Sequence, residues 1–115
     1  MNTNNKGTIG LLQVSADLTA KGYEIFLPIG DHSRIDCIAF KDGVTTRIQV
    51  KYRNIYRNNV EVPMNTVVNG KRNMYDLSHI DLFAVYCPDW GIAYVPPKEG
   101  GYFLTEEKFR SYNVV

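Results

Sequence analysis

Asp36, Gln49 and Lys51 are the residues of this chain whose types and spacing could do chemistry. Asp36 interrupts the apolar run Ile35-Asp36-Cys37-Ile38-Ala39-Phe40, and Gln49 and Lys51 punctuate the next one, Arg47-Ile48-Gln49-Val50-Lys51. Alternate side chains of a strand share a face, so Gln49 and Lys51 project together and can converge on whatever Asp36 holds. Mg²⁺ takes oxygen ligands and commonly binds through one or two carboxylates plus water and phosphate oxygens. Asp36 would supply the carboxylate and Gln49 an amide oxygen, which holds a cation less strongly. Lys51 would place a positive charge beside a phosphate, where it can stabilise an in-line displacement or orient a water. Two plainer arrangements fit the same pattern: a half-solvated strand, and a structural ion pair between Asp36 and Lys51. A carboxylate in so apolar a run is costly unless paired, hydrogen-bonded or metal-bound.

The elements that must position these residues are legible from period and punctuation. Thr8 to Lys21 reads as a helix stopped by Gly22, with Gln13, Asp17 and Lys21 as a polar stripe. Ile9, Leu11, Leu12, Val14, Ala16 and Leu18 form so wide an apolar arc that the helix is expected to be largely covered. Tyr23 to Ile29, Arg34 to Phe40 and Val44 to Arg53 read as strands of an antiparallel meander, the last two joined by a tight Lys41-Asp42-Gly43 turn. Asn54 to Asn73 is a polar, basic excursion with a short extended piece at Val60-Glu61-Val62. Ile80 to Cys87 and Gly91 to Val95 are further strands, and Thr105 to Ser111 is a last helix opened by a capping box. The order is α-β-β-β-excursion-β-β-α, an α/β chain.

The 115 residues, 44% of them hydrophobic, suit one compact domain and exclude a disordered tail. A net charge of +1 does not announce a polyanionic partner, but its distribution does more. From Arg47 to Arg72 six basic residues face one acid, Glu61, a local +5. Phosphate binding depends on such a patch. The polar N-terminus and the absence of a long apolar stretch lead us to expect a soluble, cytoplasmic protein without a membrane partner. Cys37 and Cys87 lie in apolar runs without metal-ligand spacing and read as buried small hydrophobes. His32 and His79 read as exposed loop residues, and Phe83, Tyr86 and Trp90 as packing residues.

On these motifs the chain resembles the PD-(D/E)XK nucleases, and among them the small homing endonucleases encoded by group I introns. The likeness runs through Lys6-Gly7-Thr8-Ile9-Gly10, Lys21-Gly22-Tyr23-Glu24, Pro28-Ile29-Gly30-Asp31, Asp36 and Gln49-Val50-Lys51, and in the second half through the order of elements. The resemblance implies a restriction-endonuclease-like core, a mixed β-sheet flanked by helices, and Mg²⁺-dependent hydrolysis of double-stranded DNA. It implies Asp36 as the metal-binding acid, Gln49 at the second acidic position and Lys51 as the catalytic lysine. One departure stands out: family members usually carry a glutamate just after the glycine matching Gly10, and here that position is Leu11. The chain as written is therefore expected to bind Mg²⁺ poorly and to cut slowly or not at all.

The basic excursion, at about residues 53–73, has the composition of a groove-reading ribbon. Arg34, Arg53, Asn54, Tyr56, Arg57, Asn58, Asn59, Lys71 and Arg72 form the expected DNA footprint, with Arg able to read guanine and Asn adenine in the major groove. A solvated hairpin with ordinary surface charge has the same composition. One site cuts one strand, so two-strand cleavage calls for a homo-oligomer, a dimer or dimer of dimers on a long pseudopalindromic target, with Tyr102-Phe103-Leu104 and the last helix as a candidate contact. Two alternatives are a catalytically silent DNA-binding module and a Holliday-junction or repair nuclease.

Overall fold

The computed structural model describes residues 1–30, 32–68, 71–74 and 77–115, with backbone alone for 65–68 and 71–74. Helix α1 (Thr3–Ala20) begins earlier than the apolar period predicts, because Asn2 caps it: the Asn2 side chain accepts from the Asn5 N–H at 2.9 Å. It ends at Lys21 and Gly22, where a φ of +92° suits glycine. The expectation of a largely covered helix is wrong. Only Gly10, Val14 and Leu18 are buried, and Leu12 stays 64% exposed. The helix lies on a sheet with one face, and its other face stays exposed among the described residues.

Strands β1 (Glu24–Phe26), β2 (Cys37–Lys41) and β3 (Val44–Tyr52) form the expected antiparallel meander. Asp42 and Gly43, at φ of +53° and +79°, make the two-residue hairpin turn whose twist matches its strands. The chain then leaves the sheet and returns as β7 (Leu82–Cys87), parallel to β3, which pairs in turn with antiparallel β8 (Gly91–Val95). The five-stranded mixed sheet has the order β1-β2-β3-β7-β8. Parallel pairing demands a long crossover. The excursion supplies it, carrying β4 (Val60–Val62), the hairpin of β5 (Asn65–Val68) and β6 (Lys71–Met74), and a single 3₁₀ turn at Leu77–His79.

Sequence period did not reveal β9 (Tyr102–Leu104), which pairs antiparallel with β4. The run named as a candidate subunit contact pairs within the chain through its backbone, and its Phe103 turns outward, 72% exposed. Helix α2 (Glu106–Ser111) follows, capped by Thr105. Among the described residues two apolar clusters result. Val14 and Leu18 of α1 pack on Cys37, Ala39, Ile48, Ala84 and Tyr94. On the opposite face Val60, Val62, Leu104 and Phe109 pack on Phe83, Val85, Cys87, Ala93 and Val95. Strand β7 is covered on both sides, and its unbroken apolar run follows from that.

Candidate active site

Asp36 stands one residue before β2, where register would set it opposite Gln49. Its N–H instead donates to Ile48 O at 2.8 Å, although Ile48 is already the partner of Cys37. Two residues facing one is the arrangement of a β-bulge, which re-aims a side chain. The Asp36 carboxylate turns back and Oδ2 accepts the Val50 N–H at 2.7 Å, so a side chain takes the place of a strand partner. It lines a cavity of about 620 Å³ with Thr8 and Leu11 of α1, Val50, Ser33 and Ile35. Leu11 thus faces the same space as Asp36 and offers it no oxygen.

Gln49 and Lys51 lie elsewhere. Ile48 and Val50 belong to the α1 side of the sheet, so Gln49 and Lys51 project from the other side. There Lys51 Nζ is 5.7 Å from the Phe83 ring centroid. They do not line the Asp36 cavity, but charge links the two sides. Burial raises the Asp36 pKa above its ordinary value, against the lowering effects of the Val50 N–H and of Lys51. Burial also lowers the Lys51 pKa, helped by the neighbouring Arg53 charge and opposed by Asp36. Asp36 is therefore the junction between a cavity under α1 and a cationic strip on the far face of β3.

Gln49 Oε1 is a buried oxygen with no hydrogen-bond partner among the described residues. Such an atom is costly and calls for a donor or a cation. A hard divalent ion takes oxygens of both kinds, but the Asp36 carboxylate lines the cavity under α1 and Gln49 does not, so the expected pairing of Asp36 with Gln49 as ligands of one ion is not brought together here. No group of three or more His, Cys, Asp or Glu side chains able to hold a metal occurs among the described residues. The remaining ligands would have to be water and substrate. The Cys37 thiol, pushed up to about 11 by burial and then by Asp36, is a poor ligand at neutral pH.

The expected DNA footprint divides. Tyr56, Arg57, Asn58 and Asn59 form a two-residue turn in which Tyr56 and Asn59 exchange both backbone bonds, at 2.8 and 3.0 Å. Arg57 and Asn58 occupy its tip with φ of +50° and +65°. Asn54 and Arg34 are exposed. Arg53 is held inward, its Nε donating to Glu61 O at 2.8 Å. Arg47 leaves the basic patch altogether: it grips Asp81 through Nε and Nη2, both at 2.9 Å. That partner lies outside the basic segment, so counting charge along the sequence overstated the patch. The side chains of Lys71 and Arg72, and Asp31 of the Pro28-Ile29-Gly30-Asp31 motif, lie outside the described residues.

A helix on a mixed sheet, with an acid entering one strand and a Gln-x-Lys on the next, defines a nuclease fold, and the chain belongs to the PD-(D/E)XK endonuclease family, whose profile matches residues 1–112. Among solved structures it is similar to the bacterial homing endonuclease I-Ssp6803I, with a TM-score of 0.72 and 19% identity over 98% of this chain and 75% of that one. It is also similar to Hjc, a Holliday junction resolvase of the archaeal hyperthermophile Archaeoglobus fulgidus, with a TM-score of 0.56 and 15% identity over 90% of this chain and 91% of that one. These two likenesses are of fold. No curated protein sequence matches the chain. No helix among the described residues is long and apolar enough to cross a membrane.

Proposed function

We propose that the protein is a DNA endonuclease of the homing type, hydrolysing phosphodiester bonds of double-stranded DNA with Mg²⁺ and impaired in this form by Leu11. The observation that carries the reading is the Asp36 carboxylate, desolvated and lining a cavity of about 620 Å³ that Leu11 of α1 also faces. Asp36 would hold, from the α1 side, the metal, which when bound polarises a phosphoryl oxygen and acidifies a water; Gln49 could join it only by turning from the far face. Lys51 contributes positive charge at the phosphate, and its low-dielectric setting strengthens that charge's effect. Arg57 and Asn58, at the tip of their turn, approach base edges, and the β5–β6 hairpin extends the same footprint. A homo-oligomer on a pseudopalindromic target would place one such site on each strand.

Leu11 decides the catalytic state. It borders the Asp36 cavity at the helix position where an acid would complete the ligand set. Leu11→Glu is expected to raise Mg²⁺-dependent plasmid cleavage at least tenfold, at a stability cost of about 1 kcal/mol. Fast cleavage by the unchanged chain, or none by Leu11→Glu at full folding, sinks the assignment of this position. Two rivals are separated by the same preparation. Tight binding of a long duplex without cutting by either form indicates a silent DNA-binding module. Preference for four-way junctions over linear duplex indicates a resolvase, a reading that the likeness to Hjc supports at the level of fold.

A further inference from the structure

Outside the Asp36 cavity, a row of half-exposed aromatic rings runs beside α1 with a cation at each end. We propose that it takes an unpaired DNA strand, with bases stacked on the rings and phosphates against the cations. Lys6 Nζ lies 5.8 Å from the centroid of the Tyr52 ring, within cation–π range. Tyr52 meets Tyr86 edge to face, with centroids 5.5 Å apart and planes at 67°. Tyr86 and Trp90 then line a cleft of about 370 Å³ shared with Gln13 and Arg110. The helix lies close to the row at Gly10: a Cβ there would be in ordinary contact with Tyr52 Cβ at 3.8 Å and Tyr86 Cβ at 4.0 Å, and tight only against Val50 Cγ1 at 3.3 Å.

Ring faces and cations in alternation suit nucleotides without sequence preference, because every base has a π-face. A paired base buries its faces in the helical stack and presents only edges, which is why the row selects an unpaired strand. Of the acids nearby, Asp17 and Glu106 are already engaged. Asp17, on the cleft wall, accepts from Tyr94 Oη at 2.5 Å and faces Lys21 Nζ at 3.0 Å. Arg110 pairs with Glu106 at 2.9 Å, but both are more than half exposed and such a pair exchanges readily. Tyr52 shares the α1 face of β3 with Val50, which lines the Asp36 cavity, so a strand leaving that cavity would run onto the row. The inference rests on the reading of the protein as DNA-binding, but not on cleavage.

Trp90 is the single tryptophan and lines the cleft while packing on Phe109, so its fluorescence responds to binding there. Titration with a single-stranded oligothymidylate of about 16 nucleotides is expected to quench it, whereas a blunt duplex of the same length leaves it unchanged. The double variant Lys6→Gln/Arg110→Gln should weaken that binding at least tenfold, and Asp36→Asn should leave it as it was. No quenching, equal quenching by duplex, or an unaltered affinity in the double variant overturns the inference. Quenching without any nuclease activity under all metal conditions would instead count against the cleavage reading alone.

Discussion

Asp36 carries opposite meanings for stability and for chemistry. Burial lifts its pKa, so the folded state holds the charged form less willingly than the open chain does. For an acid with a raised folded pKa, the charge costs stability above that pKa and the cost disappears as pH falls through it. Asp36→Asn keeps an oxygen for the Val50 N–H and removes the charge. Its thermal midpoint at pH 7 should therefore not fall, while Mg²⁺-dependent cleavage, measured in the Leu11→Glu background, should drop by at least about 100-fold. A melt lowered by several degrees would show that the carboxylate is there to hold the fold. Leu11 is the complement: a half-buried leucine that packs acceptably and brings the cavity no charge.

At the scale of elements, two joints hold the site in place. The β4–β9 ribbon covers the far face of the sheet and turns at Gly101, where φ is +77° and an added Cβ would fall 1.9 Å from Val62 O. Backbone cannot yield there as a side chain would. Gly101→Ala should cost about 3 kcal/mol or more, read as a lowered urea midpoint with an unchanged slope. The second joint ties the start of β7 to β3. Arg47 holds Asp81 at three points, two from the guanidinium and one from its backbone N–H at 2.8 Å. These bonds depress the Asp81 pKa from 3.8 to about 2. The sign follows: their contribution is complete above the unfolded value of 3.8 and is lost as pH falls towards 2. Both side chains are over a third exposed, so water and salt keep that contribution small. Asp81→Asn should flatten the acid limb of the stability profile, and an unchanged limb would remove this pair as its cause.

Over the whole molecule, the charge that matters is presented by turns. Arg57 sits in a left-handed conformation that costs a non-glycine residue about 1–2 kcal/mol, at the tip of a turn and over the Tyr56 ring at 5.1 Å. A residue that strains its own turn at an exposed tip is a candidate for contact with a partner. Arg57→Gly should leave the melt unlowered while weakening duplex binding and reducing the slope of log affinity on log salt by about 0.9. An unchanged slope would take Arg57 off the phosphate path, and a loss confined to one sequence would assign it to a base edge instead.

What the sequence determined by itself was local: the helix and its glycine stop, the meander with its Asp42-Gly43 turn, the α/β order, and the residues to watch, because period, capping and turn chemistry act over a few neighbours. The fourfold division of the basic segment was not legible there. Arg47 goes to Asp81, Arg53 to a carbonyl, Arg57 to a strained tip and Lys51 to the Phe83 ring, each decided by a partner distant in sequence or by backbone conformation. Nor could alternation along β3 foretell that a bulge before β2 would turn Asp36 towards Leu11 and the helix while Gln49 and Lys51 faced the other way. The pairing of β3 with β7 and of β4 with β9 likewise came only with the tertiary structure. Long-range pairing is set by which apolar faces can be buried together, and that is a property of the assembled chain.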